Sequence, residues 1–236
     1  MRFSLVIPCY NEAKNIPLLL DRCAQLAHPD EIEVILVDNG STDDTDAVLL
    51  DLLPKYPGCR SVRVESNQGY GFGILTGLNA AHGEILGWTH ADMQTDPLDA
   101  MQGLEFFDRS NGDIFVKGRR FGRPLADVVF TVGMSLFETV LLRRPMWDIN
   151  AQPTMFSKKF FTEWSSPPDD FSLDLYAYFK ARESGCRIKR FPVRFGDRIH
   201  GVSHWNVNWP SKWKFIRRTV DFSLRLRGLV QHKSQI

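Results

Sequence analysis

Phe3-Ser-Leu-Val-Ile-Pro-Cys-Tyr-Asn-Glu12 decides the fold. Its apolar half, Phe3 to Ile7, is closed by Pro8 and has the length of a buried strand. Polar Tyr10, Asn11 and Glu12 follow at once, where such a strand would end. The same pattern returns at Val34-Ile-Leu-Val37, which runs into Asp38-Asn-Gly-Ser-Thr-Asp43. It returns again at Ile85-Leu-Gly-Trp88, which runs into Thr89-His-Ala-Asp-Met-Gln-Thr-Asp-Pro97. Between these strands, Ile16 to Leu26 repeats apolar residues at helical spacing, with Pro17 tolerable in the first turn. Gly40 permits a sharp turn, and Ser41 or Thr42 is placed to cap a helix carrying Val48, Leu49 and Leu52. Ser61 to Val64 reads as a further strand, and Gly69 to Ala81 as a small-residue helix ended by Gly83. Strands and helices alternating at this spacing predict an α/β fold with a mostly parallel sheet covered on both faces. Ligands of such sheets sit beyond the carboxyl ends of the strands.

The second half is less regular. Asp113 to Val116 predicts a strand running into a basic loop, Lys117-Gly-Arg-Arg120. Val128 to Leu142 has helical length but is apolar on every side, so it is either buried or lies at an interface. Asp170 to Ser184 reads as a helix ended by Gly185, and Arg187 to Phe195 as a strand. With no repeat or clear linker, one continuous domain over 1–236 is expected.

Hydrophobic content of 43% and charged content of 24% exclude a mostly disordered chain. A formal charge of +1 argues against a nucleic-acid binder that relies on bulk charge. The neutrality is local cancellation. Pro210 to Val230 holds Lys212, Lys214, Arg217, Arg218, Arg225 and Arg227 against Asp221, so it carries +5 and the remainder −4. As a helix, this segment puts Trp213, Ile216, Val220 and Leu224 on one side and Phe215, Phe222, Leu226 and Leu229 on nearly the opposite one. One stripe can dock on the body and the other on a membrane surface or a partner subunit. Cys9, Cys23, Cys59 and Cys186 form no metal-type spacing, and Met1 leads straight into a strand pattern. A cytoplasmic protein is expected, with no apolar run of the ~20 residues needed to span a bilayer.

Chemistry concentrates after the strand at Ile85–Trp88. Asp92 and Gln94 offer hard oxygens that, with diphosphate oxygens and water, would complete octahedral Mg²⁺ or Mn²⁺. The plainer reading is a strand-end turn in which Asp96-Pro97 starts the next helix. Tyr10 could stack on a base, and Asp38 could accept hydrogen bonds from a ribose or base. Gly69-Tyr-Gly71-Phe-Gly73 invites a dinucleotide reading, but it lacks the GxGxxG spacing and does not follow the first strand.

Taken together, Val6-Ile-Pro-Cys-Tyr-Asn-Glu12, Val37-Asp-Asn-Gly-Ser-Thr-Asp-Asp-Thr45, Asn67-Gln-Gly69 and Ala91-Asp-Met-Gln-Thr-Asp-Pro97 are specific in order and spacing. From Phe3 to about Trp205 the chain resembles the inverting family-2 glycosyltransferases of GT-A (Rossmann-like) fold, above all the dolichol- and polyprenol-phosphate sugar transferases. The resemblance implies that Pro8, Tyr10, Glu12, Val37 and Asp38, with Ala91 and Gln94, contact the nucleotide. It implies Asp92 as the metal-binding carboxylate, with Gln94 beside it. Arg120, in Gly118-Arg-Arg120, would sit near phosphate, as would Arg198 in Arg198-Ile-His-Gly201-Val-Ser203. Asp148 aligns with an acidic position ahead of the acceptor-side loop. It divides the chain into a nucleotide-sugar half (1–125), an acceptor-side half (126–209) and a basic helix and tail (210–236).

Two departures stand out. His90 occupies the first Asp of Asp-x-Asp, where it either ligates Mn²⁺ or does not ligate at all. Asn39 replaces the commoner second Asp of the nucleotide turn. The expected reaction is metal-dependent, inverting transfer of a sugar from a nucleotide donor to a polyprenyl phosphate or membrane-linked glycan. The cation, Arg120 and Arg198 would stabilise the leaving diphosphate. An alcohol acceptor would need a general base, Asp170 or Asp174, whereas a phosphate acceptor is already ionised. Asp170 is equally readable as a helix N-cap. Peripheral contact at the cytoplasmic face of a membrane and self-association are both open, and the alternative function is a binding subunit that has lost catalysis.

Overall fold

The computed structural model describes residues 1–110, 113–200 and 209–233, with the side chains of the last helix described for Trp213 and from Ile216 to Gly228. Seven strands form one sheet: β1 (Phe3–Cys9), β2 (Ile32–Asn39), β3 (Cys59–Val64), β4 (Ile85–Trp88), β5 (Ile114–Phe121), β6 (Thr154–Ser157) and β7 (Arg187–Arg194). Their spatial order is β3-β2-β1-β4-β6-β5-β7. All neighbours are parallel except β6, which runs antiparallel to both β4 and β5. The first three strands step outward in one direction and β4 returns to the other side of β1. That reversal opens a crevice at the carboxyl ends of β1 and β4.

The helices are α1 (Ile16–Leu26), α2 (Thr45–Leu52), α3 (Tyr70–Asn79), α4 (Asp99–Asp108), α5 (Leu125–Leu142), α6 (Lys158–Thr162), α7 (Leu173–Glu183) and α8 (Trp209–Lys233). In α1, Ile16, Leu19, Leu20, Cys23 and Leu26 recur at helical spacing and are buried. They join Leu5, Ile7, Val34 and Leu36 in the core on one face of the sheet. The alternate residues Val6, Ile35 and Val37 face the other way, against Ile74 and Leu78 of α3 and the aromatic cluster around Phe115 and Phe156. A side chain at Gly77 would collide with Val6 and Val37, so its smallness lets α3 lie close on the sheet.

Four local expectations are corrected. Ser41 and Thr42 do not cap α2: the Ser41 hydroxyl accepts from the Asn11 amide, and the Thr42 amide donates to the Asn11 side chain. The helix starts later, at Thr45, whose amide donates to Asp43. Lys117-Gly-Arg-Arg120 is no loop but the second half of β5, because it pairs residue by residue with Arg190–Val193 of β7. Asp170 precedes α7 instead of capping it; its carboxylate accepts from the Ser172 amide, and Ser172 is the flanking residue. The small-residue helix is shorter than expected, Tyr70–Asn79, with Gly69 at its entry in a left-handed conformation (φ 116°).

Candidate functional site at the carboxyl ends of the parallel strands

Three strand ends converge. Gly40 follows β2 with φ 69°, and a Cβ there would strike the backbone of Ser66 and Asn67. Glycine therefore binds the second strand end to the Asn67-Gln-Gly69 turn, and the Asn39 amide completes the link by donating to the Gly69 carbonyl at 2.8 Å. The first strand end is tied in by Asn11, itself left-handed (φ 57°), and by the Glu12 amide, which donates to Thr45 at 2.9 Å. Asp38 is buried at the mouth; one oxygen accepts from the Ser41 amide and the other has no hydrogen-bond partner among the described residues. Tyr10 is exposed beside it, whereas Val37 is fully buried under α3 and offers the crevice only its backbone. Burial raises the Glu12 carboxyl, with the Asn15 side chain opposing the shift and Asp92 adding to it.

Asp92 lies beyond β4, buried, in a loop whose next residue, Met93, is left-handed (φ 58°). Its Oδ2 is 2.9 Å from the Arg198 guanidinium, and its Oδ1 accepts from the Gln94 amide. Gln94 is held from both sides: its Nε2 donates to the Gly196 carbonyl, and its Oε1 accepts from Arg198 Nε at 3.2 Å. Arg198 thus bridges the two oxygens expected to face a metal. His90 is turned elsewhere, its ring stacked on Tyr70 at 5.5 Å, and Tyr70 stacks in turn on Phe171. Ala91 is buried in the core. Gly201 and Ser203, the rest of the motif begun by Arg198, lie outside the described residues.

The donor set tests whether a divalent cation fits. Among the described residues, no group of three or more His, Cys, Asp and Glu side chains converges. Asp92 and Gln94 supply one anionic and one neutral hard oxygen, now satisfied by the cationic Arg198. Such a pair suits Mg²⁺ or Mn²⁺ when phosphate oxygens complete the shell, and it does not suit a cation held by protein alone.

Arg120, Asp148 and Asp174 belong to a mostly buried network. Arg120 donates to Asp148 from its backbone amide and from Nε (2.9 Å), with Arg123 3.9 Å from the same carboxylate. Burial alone would raise Asp148, but these two guanidiniums hold it below the usual carboxylate range. Lys117 is completely buried; its Nζ donates to Thr154 at 2.6 Å and lies 3.8 Å from Asp174. Loss of hydration pulls its ammonium down to about 7 against the attraction of Asp174. Asp174 accepts from Gln152 at 2.8 Å, which removes it from the set of accessible bases. Lys117 is concealed in the sequence because its strand reads as a loop, and Thr154 and Gln152, partners of Lys117 and Asp174, leave no pattern that points to them.

Asp170 differs from Asp174 in being accessible. It lines a cavity of about 330 Å³ with Gln68, Ser166, Pro168, Asp169, Phe222 and Arg225, and its Oδ2 is 3.4 Å from Arg218 of α8. The glycines at 69 and 71 make room for this loop, since a Cβ on either would strike the backbone of Asp169.

Comparison with known proteins agrees with this geometry. The profile of the family described as Glycosyl transferase family 2 matches residues 4–144. The chain is 38% identical over 102 residues to the undecaprenyl-phosphate 4-deoxy-4-formamido-L-arabinose transferase of Serratia proteamaculans, covering 41% of this chain and 30% of that protein. It is 32% identical over 127 residues to the dodecaprenyl-phosphate galacturonate synthase of Rhizobium johnstonii, covering 51% and 36%. The matched stretch is therefore about a third of the length of these relatives. Glucosyl-3-phosphoglycerate synthase from Mycobacterium tuberculosis, solved with Mn²⁺ and UDP, superposes with TM-score 0.69 at 20% identity, covering 96% of this chain and 79% of that one. A mannosyltransferase from Pyrobaculum calidifontis in complex with GDP-Man and Mn²⁺ gives 0.63 at 21%, covering 86% and 58%. At such identities the solved structures carry the fold alone, and that fold is GT-A.

Proposed function

From the premise that this chain belongs to glycosyltransferase family 2, we propose that it moves a sugar from a nucleotide-diphosphate donor to a polyprenyl phosphate, with inversion and with a divalent cation. The observation that carries the reading is the convergence of Asp38, Asp92 and Arg198 at the switch point of the sheet. The names of the prenyl-phosphate relatives support the acceptor class.

In this reading Asp38 receives the nucleoside through the oxygen that has no hydrogen bond and lies 4.0 Å from the half-exposed Arg63, and Tyr10 covers it. Asp92 and Gln94 would hold Mg²⁺ or Mn²⁺, which supplies Lewis-acid neutralisation of the diphosphate. His90 stays on Tyr70, outside this pair. An acceptor phosphate oxygen attacks the anomeric carbon opposite the diphosphate; the new C–O bond forms as the old one breaks, and the departing nucleoside diphosphate takes the electron pair. Arg198 is positioned to meet that growing charge, having exchanged Asp92 for phosphate. In this reading Arg120, which donates to Asp148, has the lesser part of anchoring that carboxylate. No proton need be removed from an ionised acceptor, so Asp170 is dispensable; it would become the base only for an alcohol.

In this reading the donor would be bound by residues 1–125 and the acceptor by 126–209, with the basic helix and tail from 210 serving the acceptor side. The protein would work at the cytoplasmic face of a membrane. A binding subunit without catalysis is the second reading, favoured by His90 standing where the family has an aspartate.

The test is a thermal-shift panel of UDP, GDP, CDP and dTDP with and without Mn²⁺, followed by transfer from the matching sugar nucleotide to a short polyprenyl phosphate. A site ligand at a hundred times its Kd should stabilise the fold by about 2.7 kcal/mol. Stabilisation by none of the four removes the donor reading, and stabilisation without transfer leaves the binding subunit.

A further inference from the structure

Helix α5 is inside out. Leu125, Val129, Leu136 and Val140 fall within about 60° of one another around the helix axis, and they are 78%, 63%, 56% and 78% exposed. The residues buried along the same helix are Ser135, Glu138 and Leu142, on the far side. Its polar side chains are the ones that grip the protein. The Ser135 hydroxyl accepts from the Asp148 amide, and Glu138 accepts from Ser223 of α8 at 2.8 Å. Thr139 bonds both backbone groups of Met146, and Thr131 accepts from Arg123. An ordinary surface helix does the reverse.

We propose that this outward apolar face of α5 rests in the plane of an anionic bilayer, with α8 beside it supplying positive charge. Length and composition alone would let α5 cross a membrane. The contacts of its inner side exclude that course, because Ser135, Glu138 and Thr139 are bonded to the body and the helix cannot leave it. A helix held on one side and apolar on the other lies in the interface.

Charge selects the occupant. Pro210 to Val230, within α8, carries +5, and Arg217 and Arg225 are exposed on this helix, which packs against α5. Arg143 is exposed immediately after α5. Trp213 and Leu224 of α8 are also exposed, at 66% and 51%, while Phe222 and Leu226 pack on the core. Exposed apolar side chains on α5, with exposed arginine and tryptophan on the helix packed against it, match anionic headgroups above acyl chains. The choice of lipid over a second copy of the chain rests on the polyprenyl-phosphate reading, since that acceptor would be delivered from the bilayer.

Sedimentation of the full chain with vesicles tests this, using equal parts phosphatidylcholine and phosphatidylglycerol against phosphatidylcholine alone. Leu136→Glu and Val140→Glu should each weaken partitioning into the anionic vesicles about tenfold or more, the loss expected when one large apolar side chain no longer inserts. Both sites are exposed, so thermal midpoints and nucleotide-induced shifts should match the wild type. Leu125→Gln, in the first turn, gives an independent reading should either glutamate variant misfold. Unchanged partitioning in folded variants overturns the proposal. So does a wild-type dimer that Leu136→Glu converts to monomer while vesicle binding persists, which would put a second copy on this face. A failure of the nucleotide panel alone would remove the donor reading and leave the vesicle result standing.

Discussion

Two of the groups of aspartate and arginine in this molecule have opposite fates. At the carboxyl ends of β1, β2 and β4, Asp38 keeps an oxygen with no hydrogen-bond partner, 4.0 Å from the half-exposed Arg63, and Asp92 accepts from the Gln94 amide and pairs with one partly exposed guanidinium, Arg198. Between β5, α7 and the turn at Asp148, Asp148 faces both Arg120 and Arg123, and Asp174 is hydrogen-bonded to Gln152 and faces a buried Lys117. The first cluster retains capacity to bind something else. The second spends its capacity internally. A buried charge with complete local compensation is structural, and one with a detachable partner is available for chemistry.

The comparison breaks most visibly at Asp92. Asp92→Ala should lower metal-stimulated sugar transfer by about 10²-fold or more while leaving the thermal midpoint near wild type; full activity with EDTA present would sink the role of the pair. Asp148→Ala should behave oppositely, costing about 3–5 kcal/mol of stability in denaturant melts because it strands two guanidiniums in the interior. A folded, inactive Asp148→Ala protein would move Asp148 into the site. Next comes Glu138, whose carboxyl burial raises to about 7, with the Ser223 hydrogen bond opposing. Between about 4.5 and 7 the folded protein binds a proton that the unfolded chain has released, so wild-type stability declines as pH rises through this window. Glu138→Gln should therefore gain about 1–3 kcal/mol at pH 8 and nothing at pH 4; an equal gain at both pH values would refute the raised carboxyl. The smallest expected effect is at Asp170. With a phosphate acceptor, Asp170→Asn should change transfer by less than about threefold, whereas a general base would cost 10²–10⁴.

The legible parts of the fold are those with local causes. Ile16–Leu26 and Ile85–Trp88 end where apolar spacing and turn residues end, and the structure has them at the same bounds. β6 is not legible because Thr154-Met-Phe-Ser157 holds only two apolar residues between polar ends, whereas the equally short Ile85-Leu-Gly-Trp88 is apolar from end to end. In the sequence Lys117 reads as loop, because a charged residue in an interior strand makes sense only once Asp174 is beside it, 57 positions later. The Arg198–Asp92 contact joins segments 106 positions apart, and only family resemblance brought both residues forward. For α5, spacing reported apolar residues on all sides and left burial and interface equal. The outward face became readable when Ser135 and Glu138 were found pointing in.

The antiparallel strand β6 also has a consequence for how the chain is made. Trp88 ends β4, and Thr154, which begins its neighbour on the far side from β1, is 66 positions later. While the ribosome supplies that interval, β1 to β4 can pair in order, but β4 keeps a row of open backbone amides and carbonyls. Closure of that edge by Thr154–Ser157 brings β5 into the sheet at the same step, because β6 pairs with both. The nascent donor half is therefore most vulnerable to edge-to-edge association just before its shortest partner strand emerges.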